Sequence, residues 1–235
     1  MTAPVTFSHA FQPIVDVDAR RIVSYEALLR APDGRPPHTV FAQVAREGLM
    51  EFDQASRLRA VALAARLGLE CRLSLNFTPG SVLFENGKHI EETIAAAQTY
   101  GIDAARLVLE ITEDEVTQDT RAFSRILNPL RRTGIVIAID DFGAGYAGLN
   151  FLSDIHPDML KLDMALVRDI HRHGGRQSII RAICSISMDL GIDLLAEGIE
   201  SEEELAFLRR QDIHLYQGFY FARPGFECLP DVLTF

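Results

Sequence analysis

The sequence predicts an α/β fold in which short strands alternate with helices along most of the chain. Two β-rich runs at residues 11–15 and 22–29, separated by a polar turn, predict an opening hairpin. In total the sequence predicts about eight strands, with helices between most of them. This pattern is typical of a (β/α)8 barrel or a doubly wound sheet. We favour the barrel, because no Gly-x-Gly-x-x-Gly follows the first strand and no Gly-x-x-x-x-Gly-Lys-Ser/Thr occurs in the sequence.

The remaining elements are predicted from apolar periodicity and from the residues that begin and end them. Residues 135–139 are apolar and are followed directly by Asp140 and Asp141. This pattern indicates a strand that is buried on both faces and ends at a functional site. The other predicted strands lie at 72–77, 106–111, 159–163, 192–197 and 214–216. Helices are predicted at 39–48, 52–67, 89–100, 121–132 and 177–190, and a last one begins at Ser201, where Glu204 completes a capping box.

Composition limits the classes of protein that this chain can belong to. The 235 residues are 48% hydrophobic and contain no linker-like tract, so we expect one domain over 1–235 with its core at about 8–225. A net charge of −10 argues against general binding of nucleic acid or of an anionic membrane. Three widely spaced cysteines and the lack of a signal peptide predict a soluble protein of a reducing cytoplasm.

Polar residues mark the carboxyl end of almost every predicted strand. In a barrel these ends meet at one rim, so residues far apart in the sequence would line a single pocket. The residues concerned are Glu26, Asn76, Glu110, Asp140, Asp141, Lys161, Glu197 and Gln217. So many carboxylates require a cation, because two such charges 4 Å apart repel by about 4 kcal/mol at an effective dielectric constant of 20.

The ligand types indicate which cation this would be. Oxygen ligands without His or Cys suit Mg²⁺ or Mn²⁺, and the carboxylates suffice for two ions that share one of the paired aspartates. Two such ions are a common arrangement for phosphoester hydrolysis, in which Lys161 would add a fixed positive charge and Glu197 would be a candidate general base. These residues predict a metal-dependent phosphate-ester hydrolase without naming the ester.

Seven motifs occur in one order along the chain and resemble the EAL-domain family of cyclic di-GMP phosphodiesterases. They are Glu-Ala-Leu at 26–28, Leu-Asn-Phe at 75–77, Leu-Glu-Ile-Thr-Glu at 109–113, Asp-Asp-Phe-Gly at 140–143, Lys-Leu-Asp at 161–163, Ala-Glu-Gly-Ile-Glu at 196–200 and the segment from Gln217 to Pro224. The resemblance implies a modified (β/α)8 barrel with one antiparallel strand. It also implies hydrolysis of cyclic di-GMP to linear pGpG in bacterial second-messenger signalling.

The resemblance further implies roles for individual residues. Asp140 would bridge two ions, Glu197 would act as the catalytic general base or as a ligand of the second ion, and Lys161 would be catalytic by placing the water or the phosphate. The first ion would be bound by Glu26, Asn76, Glu110 and Asp140, and the second by Asp140 and Asp141; Gln12, Leu28, Arg30 and Gln217 would contact the dinucleotide, and Glu113 and Glu200 would support the site. The loop at 144–149 departs from the family's usual Thr-Gly-Tyr-Ser-Ser-Leu, which bears on how a homodimer would regulate activity.

Other interpretations remain beside the phosphodiesterase. A cyclic di-GMP receptor that does not hydrolyse its ligand and acts through a protein partner is the main alternative, and a different barrel phosphohydrolase is a third. A fused or separate sensory partner is also expected from the family. Among single features, Lys161 and Asp163 are interpreted as a same-face ion pair, and the aromatic residues at 219–221 as barrel core.

Overall fold

The computed structural model of the chain describes residues 5–113, 119–144, 149–232 and 235. Eight strands close into a barrel in the order β1 to β8, with β8 pairing back onto β1. The strands are β1 (Ser8–Asp16), β2 (Arg21–Arg30), β3 (Arg72–Asn76), β4 (Leu107–Thr112), β5 (Val136–Phe142), β6 (Met159–Leu162), β7 (Asp193–Ala196) and β8 (Leu215–Tyr216), and a short β9 (Gly225–Phe226) pairs with β1. The predicted barrel is therefore confirmed.

One strand of the barrel runs against the others. β1 pairs antiparallel with both β2 and β8, whereas β2 through β8 are mutually parallel. The reason is local, because β1 and β2 form the predicted hairpin and a hairpin reverses the chain direction. The predicted antiparallel strand is thus the first one.

Helices cover the outside of the barrel and bury its main apolar core against the strands. They are α1 (His38–Phe41), α2 (Leu49–Arg66), α3 (Pro79–Leu83), α4 (Lys88–Thr99), α5 (Thr120–Leu130), α6 (Phe151–Ile155), α7 (Met164–Val167), α8 (Gly174–Leu190) and α9 (Glu202–Arg209). α9 has the predicted capping box between Ser201 and Glu204, and α8 ends at Gly191, which is left-handed with φ 68°.

The predicted helix at 39–48 is wrong in its length. The structure has the four-residue α1, then a turn, then a 3₁₀ turn from Arg46 to Gly48 that leads directly into α2. Pro36 and Pro37 precede this segment, and only Val40 of α1 is buried. A single buried side chain does not provide the apolar face that stabilises a longer helix.

The C-terminal segment covers the hairpin, where no helix lies between two consecutive strands. Leu229, Val232 and Phe235 pack against the core, and the hydroxyl of Tyr25 on β2 donates to the carbonyl oxygen of Pro230 at 2.9 Å. Within the described residues, no helix combines the length and the apolar character needed to cross a membrane.

Candidate active site

Each barrel strand contributes one polar residue to a single level of the barrel interior, toward or just beyond the carboxyl ends of β3 to β8 and in the middle of β2. The residues are Gln12, Glu26, Asn76, Glu110, Asp140, Lys161, Glu197 and Gln217. Side chains alternate between the two faces of a strand, so residues of the same parity on each strand point inward together. The structure therefore brings together the residues that strand ends had predicted.

Lys161 is the centre of this group. Its side chain is only 1% exposed, and its Nζ lies 2.9 Å from Asp140 Oδ1 and 3.0 Å from Glu197 Oε1. Glu110 Oε1 follows at 3.2 Å and Glu26 Oε2 at 3.9 Å. One buried ammonium thus faces four carboxylates, which would carry an excess of negative charge if all four were ionised. Lys161 does not pair with Asp163, contrary to the sequence-based interpretation, because Asp163 lies beyond the end of β6 and caps α7 through Ala165 N at 2.8 Å.

Glu26 is held by two amides. Asn76 Nδ2 donates to Glu26 Oε1 at 3.2 Å, and Gln217 Nε2 donates to Glu26 Oε2 at 2.7 Å. Gln217 Nε2 also donates to Gln12 Oε1 at 3.2 Å, while Gln12 Nε2 donates to the carbonyl oxygen of Ala222 at 3.1 Å. This chain of bonds fixes the orientation of both glutamines.

Asp141 turns toward the cavity because the backbone leaves the extended conformation at that residue. Its φ is +53°, an uncommon value for a residue with a side chain, and Gly143 follows at φ +94°. Asp140, Asp141 and Glu197 consequently each present a carboxylate oxygen within 4.8 Å of the others. Adjacent aspartates on a regular strand would point to opposite faces, so this turn is what allows both to serve one site.

Burial and charge alter the acidities of the group. Burial raises the pKa of Glu197 to about 8, Lys161 opposes that shift, and Asp140 and Glu26 add to it. Burial likewise raises the pKa of Glu110 well above its usual value, and it raises the pKa of Asp141 together with the nearby charge of Asp140. Burial alone would lower the pKa of Lys161, but the surrounding carboxylates together raise it.

The residues fit a divalent cation. Among the described residues, buried Glu110 Oε2 has no hydrogen-bond partner, and buried Glu110 Oε1 and Asp140 Oδ1 have only the Lys161 ammonium, at 3.2 and 2.9 Å. Buried acceptors without a donor are costly, and a cation would satisfy them. The donor set of carboxylates and one amide suits Mg²⁺ or Mn²⁺.

Comparison with known proteins identifies the family. The family model described as EAL domain matches residues 5–224. The chain belongs to the EAL-domain family. It is 32% identical over 93% of its length to a cyclic di-GMP phosphodiesterase of Pseudomonas aeruginosa, covering 38% of that protein. The predicted family is confirmed.

Two solved structures of EAL proteins superpose closely on this chain. A standalone EAL protein from Vibrio cholerae, solved with cyclic di-GMP bound, is 41% identical with a TM-score of 0.91, over 98% of this chain and 97% of that one. A manganese and cyclic di-GMP complex of Klebsiella pneumoniae BlrP1 is 37% identical with a TM-score of 0.91, over 99% of this chain and 59% of that one. This EAL chain spans 27% to 55% of the length of the first curated relatives that it matches.

Two cavities flank the carboxylates of the EAL site. A cavity of about 330 Å³ is lined by Gln12, Glu26, Asp140, Asp141, Glu197 and Gln217 together with Asp163, Met164, Arg168, Gly198, Glu200, Gly218 and Phe219. A second, of about 290 Å³, is lined by Leu28, Arg30 and Asn76 among others. The four residues predicted to contact a dinucleotide are thus divided between two neighbouring cavities.

Residues around the EAL site support its loops. Glu113 Oε2 accepts from the backbone N–H of Gly143 at 2.9 Å, which fits its predicted position beside the loop after Asp141. Glu200 lines the first cavity and pairs with Arg168, a residue that the sequence analysis did not single out. Of the loop at 144–149, residues 145–148 lie outside the described residues, and the prediction about dimer regulation falls on them.

The aromatic run near the last barrel strand is divided between core and cavity. Phe221 is buried as predicted, whereas Phe219 is 46% exposed, lines the first cavity and lies under the Arg223 guanidinium at 4.3 Å. The prediction of barrel core is therefore wrong for Phe219. Three aromatics in a row gave no signal for this difference, because β8 ends at Tyr216 and the period of two no longer applies beyond it.

Proposed function

We propose that this chain hydrolyses cyclic di-GMP to linear pGpG with Mg²⁺ or Mn²⁺. The observation that carries the proposal is the complete set of oxygen ligands around buried Lys161, with Glu197 beside it, on the wall of a cavity. Family membership supports it, as do the cyclic di-GMP and manganese that the similar structures contain.

The metal ligands are proposed as two overlapping groups. Glu26, Asn76, Glu110 and Asp140 would hold one ion, and Asp140 and Asp141 would hold the second. Bound divalent ions supply a more acidic water and offset charge on the phosphate oxygens. The protein's part is to fix these oxygens in advance, as the two amide bonds to Glu26 and the turn at Asp141 do.

Glu197 and Lys161 carry the remaining steps. The water oxygen attacks phosphorus, Glu197 takes one proton of that water, the bond from phosphorus to the 3′-oxygen breaks, and that oxygen takes up a proton from solvent. Lys161 holds the phosphate or the water through its ammonium group. Gln12, Leu28, Arg30 and Gln217 contact the dinucleotide in the two cavities, and Glu113 and Glu200 keep the neighbouring loops in place.

Product analysis tests the proposal. Purified chain incubated with cyclic di-GMP and either metal is expected to yield pGpG by chromatography, and Glu197→Gln is expected to lose about 10²- to 10⁴-fold in turnover. The matched control is Glu203→Gln, an exposed carboxylate in the first turn of α9, which should retain activity. Ligand that binds by calorimetry yet stays intact with either metal would contradict hydrolysis and favour the receptor.

Four expectations from the sequence stay predictions: a homodimer, a fused or separate sensory partner, a cytoplasmic location and the single-domain organisation. Sedimentation of the purified chain with and without ligand would test the dimer.

A further inference from the structure

Arg57 lies on α2, outside the barrel, yet its side chain is only 3% exposed. Its guanidinium is bound on two sides. Nη1 pairs with Asp53 one helical turn earlier, and Nη2 donates to Gln54 Oε1 at 2.7 Å and to Ser81 Oγ at 2.9 Å. Arg57 thereby joins α2 to α3 at the level where β3 ends.

The pair of Asp53 and Arg57, here called the β3 clamp, contacts three consecutive residues of the chain. Arg57 Nη1 lies 3.5 Å from the carbonyl oxygen of Asn76, and Arg57 Cζ lies 4.0 Å from the centre of the Phe77 ring. Asp53 Oδ2 accepts from Thr78 Oγ1 at 3.0 Å. The clamp therefore fixes the backbone where β3 ends.

The backbone at residues 76–77 carries one proposed metal ligand, Asn76, and is hydrogen-bonded to the backbone of another, Glu110. The side chain of Asn76 donates to Glu26 Oε1, and the N–H of Phe77 donates to the carbonyl oxygen of Glu110 at 2.9 Å. A shift of residues 76–77 would move the Asn76 amide. It would also weaken the hydrogen bond between Phe77 and Glu110. Groups that orient metal ligands from behind typically change metal affinity when they are altered.

Stability alone does not account for a buried ion pair at this position. Replacing such a pair by well-packed apolar residues is often neutral or stabilising, because both charges lose their hydration. What arginine provides is geometry, since its planar fork can donate to Asp53, Gln54 and Ser81 while its face stacks on an aromatic ring. A lysine ammonium cannot make this set of contacts at once.

We propose that Arg57 is a positioning residue of the candidate metal site and that it acts through Asn76. The metal part of this inference rests on the proposed function, whereas the orientation of Asn76 does not. Arg57 itself lines the second cavity next to Asn76 and Phe77, and its role requires no contact with the reacting atoms.

The test compares Arg57→Lys with Arg106→Lys. Arg106, which directly precedes β4, is a matched control because its contacts lie just before β3: its Nε donates to the carbonyl oxygen of Cys71 at 3.1 Å and its Nη2 to that of Leu69. In metal-free protein, Arg57→Lys is expected to move the side-chain amide resonances of Asn76 in a ¹⁵N–¹H spectrum. Titration with Mn²⁺ followed by electron paramagnetic resonance is expected to show at least about tenfold weaker binding. Arg106→Lys should leave both readouts unchanged.

Several outcomes would overturn the inference. Unmoved Asn76 resonances, wild-type Mn²⁺ affinity in folded Arg57→Lys, or equal losses in Arg106→Lys would each do so. If Arg57→Lys does not fold, Ser81→Ala removes one acceptor of the guanidinium, and an unmoved Asn76 amide in that variant contradicts the proposal. A wild-type chain that binds no Mn²⁺ is a failure of the proposed function, and the amide resonances still decide the role of Arg57.

Discussion

Two levels of the barrel interior, two residues apart along the strands, differ in chemistry, although Ser24 and Ser74 bring one hydrogen-bonded polar pair to the lower level. The upper level is the polar group around Lys161. Two residues lower on the same strands lie Ile14, Val108, Ala138, Met159 and Leu195, which form their own buried apolar cluster. On β6 the change occurs between Lys161 and Met159, both of which are buried.

The difference shows how one set of strands serves two purposes. The lower level stabilises the barrel through apolar burial. The upper level concentrates carboxylates, whose negative charge must be balanced by Lys161 and by a bound cation. The closed barrel makes this possible, because it holds the carboxylates in place although they repel one another. Substitutions at the upper level should therefore change the response to Mn²⁺, whereas substitutions at the lower level should change stability alone.

Lys161→Met is expected to have the largest effect on stability. It removes the ammonium that balances the four carboxylates, and breaking a buried pair in this way costs about 3–5 kcal/mol. Thermal unfolding of the metal-free variant should show this loss, and Mn²⁺ should raise its Tm more than that of the wild type. An unchanged Tm, or an equal Mn²⁺ effect in both proteins, would show that Lys161 does not balance this charge.

Met159→Ala tests the lower level on the same strand. Removal of this buried side chain should cost about 2–5 kcal/mol in denaturant unfolding, because a cavity remains below the site. Turnover and Mn²⁺ affinity per folded molecule should stay at wild-type values. Met164→Ala, at a half-exposed position beside the first cavity, is the control that should leave stability nearly unchanged. A loss of Mn²⁺ affinity in folded Met159→Ala would mean that the two levels are not separable.

The sequence predicted the upper level well, for a physical reason. A strand period of two and the convergence of parallel strand ends are properties of the backbone, so Glu26, Asn76, Glu110, Asp140, Lys161, Glu197 and Gln217 could be assigned to one site before any contact was known. The hairpin also gave the position of the antiparallel strand. These predictions needed only local patterns and the closure of the barrel.

The β3 clamp could not be predicted in the same way. Asp53 and Arg57 are four residues apart on a helix, and such pairs are typical of exposed helix surfaces. Arg57 is buried where α3 packs over it through Ser81, and α3, with five residues, is too short to show a helical period in the sequence. The burial of the clamp and the formation of α3 both depend on contacts between elements that lie far apart in the sequence.

Gly218→Ala should reduce turnover by about 10²-fold. A Cβ at this position would lie 2.1 Å from the carbonyl oxygen of Ile199 and 2.3 Å from its nitrogen, so the backbone must shift. Ile199 N donates to the Gln217 carbonyl oxygen at 3.1 Å, so the shift would move the segments that carry Glu197 and Gln217. Displacements of about 1 Å are sufficient for such a loss. Gly175→Ala, which has open space around it, is the kinetic control; equal turnover in both variants would contradict the argument.

The pH dependence of stability is the smallest expected effect and concerns Glu197 in metal-free protein. Because its pKa is raised to about 8 from the usual 4.5, the folded chain binds a proton between these values that the unfolded chain has released. Stability should therefore fall as the pH rises through this window. Buried His9, with its pKa lowered to about 4, has the opposite effect between pH 4 and 6.5, so the window from 6.5 to 8 excludes His9 and leaves the buried carboxylates Glu197 and Glu110.

Urea unfolding in the presence of a chelator measures this effect. The free energy of unfolding of the wild type should decrease from pH 6.5 to 8, and Glu197→Gln should show a shallower decrease because its amide does not titrate. Mn²⁺ should flatten the wild-type curve, since the cation binds the ionised form of the site. Parallel curves for wild type and Glu197→Gln would place the retained proton on another carboxylate, such as Glu110, and would weaken the case for Glu197 as the base.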